Sequence, residues 1–502
     1  MRAWLVAGLL LILPVLVYWS AVSHEYGFRD DYAHLREVRE RPGWLTTLTT
    51  SNGRPVYGVV LEASLENVDE VAELSRLRML SAVLIGVVGV LVWRQLRRSG
   101  WSEGQAAAVG AAVIVLPGSQ VVVGWAIAWP IALGLVAALG GFALVEGGFR
   151  RRGGVRAVCV AAGLVLYLVA ALTYQTSALF AVMPLAAVLL TREVTSTRSD
   201  ASWVAAHIGL LFVSLVLGYL ATSFIFANGS GPEVARMNIE PHPFIKLLWF
   251  ARNPLPNSVA LFALRDAIAT PLRFWIVVAS VVAIMLLGLS FGAVDRQQRL
   301  RWLFIALLLP FVAHSVSLAA SSQAIGYRTL LPLSGVFLVL AAFGFRAVVA
   351  RFGVPRRAEA GVLVAFVGVC AFLAHRNTST LIAEPQGREW QLVKAAASRL
   401  QLTDDARVYL IRPTSPDHRS TERLYADEFG SLTADADWAA KEMFKAAMRE
   451  RYPSGLPPGT EYVLTTGFGP PPPVGYDVVG DLRELKNLGE RAPARQATAS
   501  QR

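Results

Sequence analysis

The sequence predicts a polytopic α-helical membrane protein with about eleven transmembrane helices and a small external α/β domain at its C-terminal end. Composition is the first reason. Of the 502 residues, 54% are hydrophobic, and the mean hydropathy is +0.47, which is too apolar for a soluble protein of several domains. The second reason is distribution, because the apolar residues form long blocks without charges. A block of about 18 or more such residues can cross about 30 Å of hydrocarbon as a helix.

Eleven apolar blocks of this kind follow one another along the chain. The fifth and sixth are the weakest, because they share one apolar run that is interrupted only at residues 174–177. Arginines flank this pair of spans on both sides, which indicates that both flanks lie on the same side of the membrane. The two spans must therefore be either both present or both absent. The predicted spans are 3–22, 77–94, 105–122, 126–146, 157–173, 177–191, 204–226, 274–292, 302–320, 328–349 and 360–374.

Arginine clusters occur in every second loop between these spans, which predicts the orientation. Basic residues favour the cytoplasmic side of a membrane, so the N-terminus is expected in the cytoplasm and the C-terminal domain outside. The net charge of +11 is then mostly an orientation signal and requires no nucleic-acid partner. The clustered residues are Arg94, Arg97, Arg98, Arg150, Arg151, Arg152, Arg156, Arg192, Arg198, Arg296, Arg299, Arg301, Arg351, Arg356 and Arg357.

The predicted organisation places three long segments outside the bilayer on the same side. Residues 1–374 form a multi-pass domain whose first external loop covers 23–76. A second external segment, about 227–273, mixes aromatic and basic residues as an interface-lying segment would. Residues 375–490 are expected to form an external α/β domain, and 491–502 a disordered tail.

The external C-terminal domain is predicted from alternating periodicities. GREWQLVKAAASRL and WAAKEMFKAAMRERY have the apolar spacing of helices, whereas ARVYLIRP and EYVLTTG are typical of strands. The polar residues Glu422, Arg423 and Asp427 are its most conspicuous cluster. A solvated face is the expected explanation for them, and the chemistry is expected in the first loop instead.

Two adjacent carboxylates, Asp30 and Asp31, follow directly after the first span. They could be solvated residues that mark the end of a helix. However, neighbouring carboxylates repel each other unless a metal ion or an arginine offsets their charge. Ionisable groups at the membrane boundary of a polytopic protein are also candidates for function. The same loop continues through SNGRPVYG, which supplies Arg54.

The order of these features resembles the GT-C superfamily of membrane glycosyltransferases. The shared features are one span, an Asp-Asp pair opening a long external loop, many further spans and an external C-terminal domain. DD followed by GRP is most similar to the O-antigen glucosyltransferase group. The resemblance implies a polyprenyl-phosphate-linked sugar as donor and an envelope glycan, lipid or protein as acceptor. It also implies a location in the cell membrane, among membrane lipids.

The chemistry of such a transfer requires residue types that the chain supplies. One carboxylate must take the proton of the acceptor hydroxyl, and Asp31 is preferred for this because it lies further from the helix end. Asp30 then positions the acceptor. The two could also hold a divalent cation such as Mg²⁺ or Mn²⁺, with His34 as the one conceivable further ligand. A single displacement predicts inversion at the anomeric carbon.

Six side chains are candidates for binding the donor: Arg54, Arg328, Arg252, His242, Tyr174 and Gln175. Arginine suits a leaving phosphate because its planar guanidinium binds phosphate through two hydrogen bonds. Each candidate has a simpler explanation. Arg54 could form a salt bridge within the loop, and Arg328 could anchor a helix end at the interface. Arg252 and His242 could be ordinary interface residues, and the tyrosine–glutamine pair could satisfy each other.

Two other classes of function remain open. A transporter or flippase of a lipid-linked saccharide is one, although transporters tend to show paired halves and charges near the membrane midplane. Here the spans contain few charges. A non-catalytic scaffold for envelope assembly, with the C-terminal domain as its binding module, is the other. Neither accounts for the two aspartates as directly as an enzyme does.

Overall fold

The computed structural model describes residues 3–192, 196–227, 238–266, 270–293, 295–323, 326–403, 405–413, 425–473 and 475–483. This part of the chain is mostly helical, with one small parallel sheet of three strands. Five helices form the N-terminal part: α1 (Ala3–Val17), α2 (Trp19–Ser23), α3 (Asp30–Glu40), α4 (Trp44–Ser51) and α5 (Pro55–Leu65). The loop predicted at 23–76 is therefore itself largely helical.

The next eight helices cover the predicted second to seventh spans. Ser102 caps α7, because its hydroxyl accepts the N–H of Gln105 at 3.3 Å. Between α7 and α8 the chain bends by 49°, where Pro117 begins the new helix. The helices are α6 (Leu74–Arg98), α7 (Glu103–Ile114), α8 (Pro117–Gly124), α9 (Trp129–Phe149), α10 (Gly153–Thr173), α11 (Gln175–Ala178), α12 (Val182–Thr191) and α13 (Thr197–Ala227).

Nine further helices follow, and prolines begin several of the short ones. Pro310 interrupts the ninth predicted span, because proline lacks the N–H that continuation of α17 would need. The helices are α14 (Pro243–Arg252), α15 (Pro254–Val259), α16 (Leu272–Leu287), α17 (Arg296–Leu307), α18 (Leu309–Ala313), α19 (Ser315–Ala319), α20 (Tyr327–Arg351), α21 (Arg356–Thr378) and α22 (Glu384–Arg399).

Fewer than eleven of the described helices are by themselves long and apolar enough to cross a membrane. In the described part of the chain, seven helices are long and apolar enough to cross a membrane, or eight if α7 and α8 form one bent span. The predicted spans 3–22, 177–191 and 302–320 coincide with shorter or interrupted helices. The prediction of a polytopic helical protein therefore holds, whereas the count of eleven is not confirmed.

The C-terminal part contains the sheet. Its elements are β1 (Ala406–Ile411), α23 (Asp437–Arg451), β2 (Tyr462–Gly467) and β3 (Val478–Asp481). The strand order is β2-β1-β3, and both outer strands are parallel to β1. The two helices and two strands predicted here are present, and β3 is an addition. The predicted disordered tail, 491–502, lies outside the described residues.

Helix α22 joins this sheet to the membrane part, because it continues from α21 through a short π-helical segment, Ser379–Ala383. Helix α23 packs against α3 of the first loop. The Nε of Arg36 on α3 donates to Glu442 on α23 at 2.7 Å. The aspartates at the start of α3 therefore lie between the apolar helices and the C-terminal sheet.

Candidate functional site

The turn that precedes the two aspartates is shaped by a buried arginine. Arg78 on α6 is fully buried and donates to the carbonyls of His24 and Tyr26, both at 2.8 Å. At the end of the turn, Arg29 has a φ of +44°, a conformation that costs a residue other than glycine about 1–3 kcal/mol. The N–H of Arg29 donates to the Thr433 hydroxyl at 2.9 Å. The backbone is thus held in a strained shape from both sides.

Asp31 is fully buried and uses both carboxylate oxygens to hold backbone. Its Oδ2 accepts the N–H of Phe28 at 2.8 Å, and its Oδ1 accepts the N–H of Ile127 at 3.1 Å. Burial raises the pKa of Asp31 to about 7, although these N–H groups and the guanidinium of Arg78 act in the opposite direction. This side chain joins the turn to the segment before α9.

Asp30, the first residue of α3, is only half-buried. It lies near the hydroxyl of Tyr57, which donates to the carbonyl of Ile127 at 2.6 Å. Burial raises the pKa of Tyr57, the positive charges of Arg54 and Arg328 lower it, and the negative charge of Asp30 raises it. One tyrosine hydroxyl therefore lies within the electrostatic reach of Asp30 and of both arginines.

Arg54 lies against the connection between α10 and α11. Its Nε donates to the Gln175 Oε1 at 3.3 Å, and its guanidinium carbon is 4.2 Å from the centre of the Tyr174 ring. Gln175 in turn donates to the carbonyl of Gly53 at 2.7 Å. The Tyr174 side chain is hydrogen bonded to Arg328. The tyrosine and glutamine thus bind the first loop and a second arginine, in addition to closing their own turn.

Arg328, at the start of α20, is paired with two acidic residues. Its Nη1 is 3.3 Å from Oδ1 of Asp427 and 3.3 Å from Oε1 of Glu428. Its guanidinium carbon lies 4.8 Å from the centre of the Trp125 ring, which also meets the Phe28 ring edge-on at 5.3 Å. Arg328 is therefore a partly buried, ion-paired residue, which differs from a snorkelling anchor.

Asp427 corrects one expectation, because it was predicted on a solvated face. Its side chain is only 4% exposed, and its Oδ2 accepts the N–H of Tyr327 at 2.6 Å. Burial raises the pKa of Asp427, whereas Arg328 acts to lower it. Its φ of +65° is left-handed. Glu422 and Arg423, predicted with it, lie outside the described residues.

Two predicted donor ligands lie elsewhere. His242 and Arg252 are exposed at the two ends of α14. The backbone N–H of His242 donates to Glu240 at 2.9 Å, and the carbonyl of Arg252 accepts from Arg265 at 2.8 Å. In the part of the chain that the structure describes, neither side chain contacts Asp30 or the two arginines of the site.

The side-chain geometry around Asp30 and Asp31 gives little support to a divalent cation at this place. Within the described ranges, no group of three or more His, Cys, Asp or Glu side chains could hold a metal ion. Both oxygens of Asp31 already accept backbone N–H groups. His34, the conceivable further ligand, has its Nδ1 2.9 Å from Oε2 of Glu37.

These contacts define a site that we call the arginine–carboxylate cluster: Asp30, Arg54, Tyr57, Tyr174, Gln175, Arg328 and Asp427. It offers a half-exposed carboxylate and two guanidinium groups at the ends of apolar helices. Such a set can accept a proton and stabilise a developing negative charge at one place.

Sequence reasoning missed several residues that build this site. Tyr57 lies in the first external loop and Trp125 beside the predicted span 126–146, and neither carries a local signal that separates it from the other aromatic residues of the chain. Arg78 did carry one, since it is an arginine inside the predicted span 77–94, and such residues are rarely without a role. Asp427 was singled out in the sequence, but its pairing with Arg328 could not be inferred without knowing how the C-terminal part folds back.

No protein-family model matches the sequence, and no curated protein is similar to it in sequence. Among solved structures, the chain is similar to the oligosaccharyltransferase of Archaeoglobus fulgidus in the apo form, with 12% identity and a TM-score of 0.44. Two further structures are similar. They are the archaeal oligosaccharyltransferase AglB from Archaeoglobus fulgidus in complex with an inhibitory peptide and a dolichol-phosphate (11% identity, TM-score 0.44), and the oligosaccharyltransferase of the same organism in complex with Zn and sulfate (12%, 0.47).

The likeness covers 89% of this chain but less than two thirds of the archaeal enzyme, 61–63% of its length. It is too low to carry a function. The function is therefore inferred from the side chains of the site.

Proposed function

We propose that this protein is an inverting glycosyltransferase of the GT-C type. It moves a sugar from a polyprenyl-phosphate donor to a cell-envelope glycan, lipid or protein at the outer face of the membrane. One arrangement carries the proposal: the guanidinium groups of Arg54 and Arg328 both contact Tyr174, and Asp30 lies with both of them within electrostatic reach of the half-buried Tyr57 hydroxyl. A base beside two phosphate-binding cations is what displacement of a sugar from a phosphate requires.

The transfer step assigns the proton to Asp30. The acceptor oxygen forms a bond to the anomeric carbon while its proton passes to the Asp30 carboxylate. The bond from that carbon to the phosphate oxygen breaks, and the electron pair leaves with the phosphate. Asp31 is the poorer base, because its oxygens are buried on two backbone N–H groups. This proposal therefore reverses the preference for Asp31 that the sequence suggested.

The leaving phosphate is assigned to Arg54 and Arg328. Each guanidinium lies against an aromatic ring that limits its movement, Tyr174 at 4.2 Å and Trp125 at 4.8 Å. A guanidinium held in this way loses less side-chain entropy when it binds phosphate. Arg328 also faces Asp427 and Glu428, so a phosphate at this position competes with them.

The position of the cluster supports a lipid carrier for the donor. Arg54 contacts the connection that follows α10, and Arg328 lies in the first turn of α20. Both helices are long and apolar enough to cross a membrane. A phosphate at the cluster is thus at the end of apolar helices, where a prenyl chain can extend into hydrocarbon.

The test is a transfer assay with purified protein in proteoliposomes. Polyprenyl phosphates carrying labelled glucose, mannose or arabinose are supplied together with membrane extract as acceptor. Wild-type protein should transfer at least one of these sugars. Asp30→Asn should lower the rate about a hundred- to ten-thousand-fold, whereas Asp69→Asn, an exposed carboxylate of the same loop, should not.

Two results would refute the proposal. One is undiminished transfer by Asp30→Asn protein that is present in the membrane at wild-type amounts. The other is movement of intact labelled donor across the bilayer without cleavage of its sugar–phosphate bond, because a flippase and not a transferase does this.

A further inference from the structure

A second polar site lies beside the turn that carries the aspartates. It is a cavity of about 420 Å³, within the range of about 300–1,000 Å³ that is usual for small-molecule sites. One wall comes from the chain after α2, and the other from the first turns of α22. The lining residues are His24, Glu25, Glu384, Gly387, Arg388 and Gln391.

The side chains from the first wall are fixed in place. Oε1 of Glu25 accepts from Nζ of Lys394 at 2.7 Å and from the indole N–H of Trp390 at 2.8 Å. Both bonds end on the same oxygen, and within the described part of the chain Oε2 has no hydrogen-bond partner, so its lone pairs can accept from a ligand. Nδ1 of His24 lies 2.8 Å from the carbonyl of Ser20, which places the proton on Nδ1 and leaves Nε2 as an acceptor in the neutral ring.

The lining selects a hydrated, hydroxyl-rich ligand. Among the described residues that line the cavity, none has an apolar side chain, although apolar residues dominate most small-molecule sites. The charges nearly cancel, since Glu384 lies 3.9 Å from Arg388 and Glu25 is paired with Lys394. In the described part of the protein these residues do not form a metal-binding group. Carboxylate, imidazole and amide groups together can serve both the donor and the acceptor function of sugar hydroxyls.

The cavity and the arginine–carboxylate cluster share their supporting elements. Arg78 fixes the carbonyls of His24 and Tyr26, and Asp30 follows four residues after Tyr26. On α22, the buried Gln386 and Glu389 bind the segment around Thr433. The same helix thus supports the cluster with one set of residues and lines the cavity with another.

We propose that this cavity is a binding site for a neutral saccharide, namely the part of the acceptor glycan that extends away from the reacting hydroxyl. The proposal rests on the transferase function only in calling the bound saccharide the acceptor. Binding of a saccharide in the cavity does not depend on that function. It assigns recognition of the growing glycan to the junction of the first loop with α22.

Gly387 offers a substitution that fills the site without removing a contact. A Cβ at this position would lie 3.7 Å from the Glu25 carbonyl oxygen and 3.8 Å from Cδ2 of His24, which are ordinary contacts. The Cβ of Gly387→Trp therefore fits without a clash, and the indole ring of the new side chain is placed in the cavity. Ala395→Trp is the matched control, because Ala395 is exposed on the same helix.

The experiment measures saccharide binding to the full-length protein in detergent by saturation-transfer NMR. The probes are neutral tetrasaccharides of glucose, galactose, mannose and N-acetylglucosamine. Wild-type and Ala395→Trp protein should bind at least one probe, and Gly387→Trp should weaken that binding at least about tenfold. Equal binding by Gly387→Trp, or binding of no probe by the wild type, would overturn the proposal.

The two proposals can fail separately in this design. If Asp30→Asn protein keeps saccharide binding while no variant ever transfers sugar, the cavity stands and the transferase does not. If transfer depends on Asp30 but Gly387→Trp binds probes like the wild type, only the saccharide site is wrong.

Discussion

Asp31→Asn should damage the fold more than Asp30→Asn does, although the two residues are neighbours. Each Asp31 oxygen accepts its own backbone N–H, from Phe28 and from Ile127. Asparagine has one acceptor oxygen, so one buried N–H loses its partner at a cost of about 1–3 kcal/mol. Asp30 is half-exposed, and its substitution should stay within about 0.5 kcal/mol.

The Asp31 effect should depend on pH in a defined direction. Burial raises the pKa of Asp31 from 3.8 to about 7, so the folded protein holds this proton more tightly than the unfolded chain. The resulting stability is fully present below about pH 4 and is lost as the pH rises towards 7. The stability difference between wild type and Asp31→Asn should therefore be largest at low pH and shrink by pH 8.

Thermal unfolding in detergent, followed by tryptophan fluorescence at pH 5, 6, 7 and 8, measures this difference. Asp31→Asn should melt a few degrees below the wild type at pH 5. Asp30→Asn should melt with the wild type while losing transfer activity. An Asp31→Asn protein that melts like the wild type at pH 5, or a gap that widens as the pH rises, would refute the structural role assigned to Asp31.

Three further outcomes are expected. Arg54→Lys keeps the charge but loses the planar guanidinium, so transfer should fall at least about tenfold; unchanged turnover would remove Arg54 from the phosphate site. Asp427→Asn keeps an acceptor for the backbone but removes one negative charge from Arg328. The KM for the donor should then fall, and a rise would mean that Asp427 orients the arginine instead. Reporters fused after Leu400 and after Arg152 should report the outer and the inner side, and an inward Leu400 would contradict the predicted topology.

The C-terminal elements could be predicted because their signals are local. Apolar residues at helical or strand spacing mark α22, β1, α23 and β2 within a few residues each. The four-residue strand β3 follows a proline-rich segment and is too short to show a period. The count of eleven spans is not confirmed for a related reason, because an apolar block does not reveal whether a proline or a bend divides it.

The features of the site that depend on position along the chain could be predicted, whereas those that depend on packing could not. Asp30 follows the first predicted span, Arg54 lies in the loop after it, and Arg328 begins the tenth span. All three were placed on the predicted outer side, so they were candidates for one site. Choosing between Asp30 and Asp31 required knowledge of the turn before them, whose shape directs only Asp31 into the protein. The burial of Asp427 results from contacts with residues about a hundred positions earlier.

The hydrogen bond from Arg29 to Thr433 has a consequence for the timing of synthesis. The two residues are 404 positions apart, and a ribosome that adds about 5–20 residues per second needs about 20–80 s to cover that distance. During this interval the strained turn lacks the hydroxyl that holds its N–H. The turn before Asp30 is therefore completed only after the C-terminal part of the chain has been synthesised, and a chain truncated before Thr433 would lack this contact.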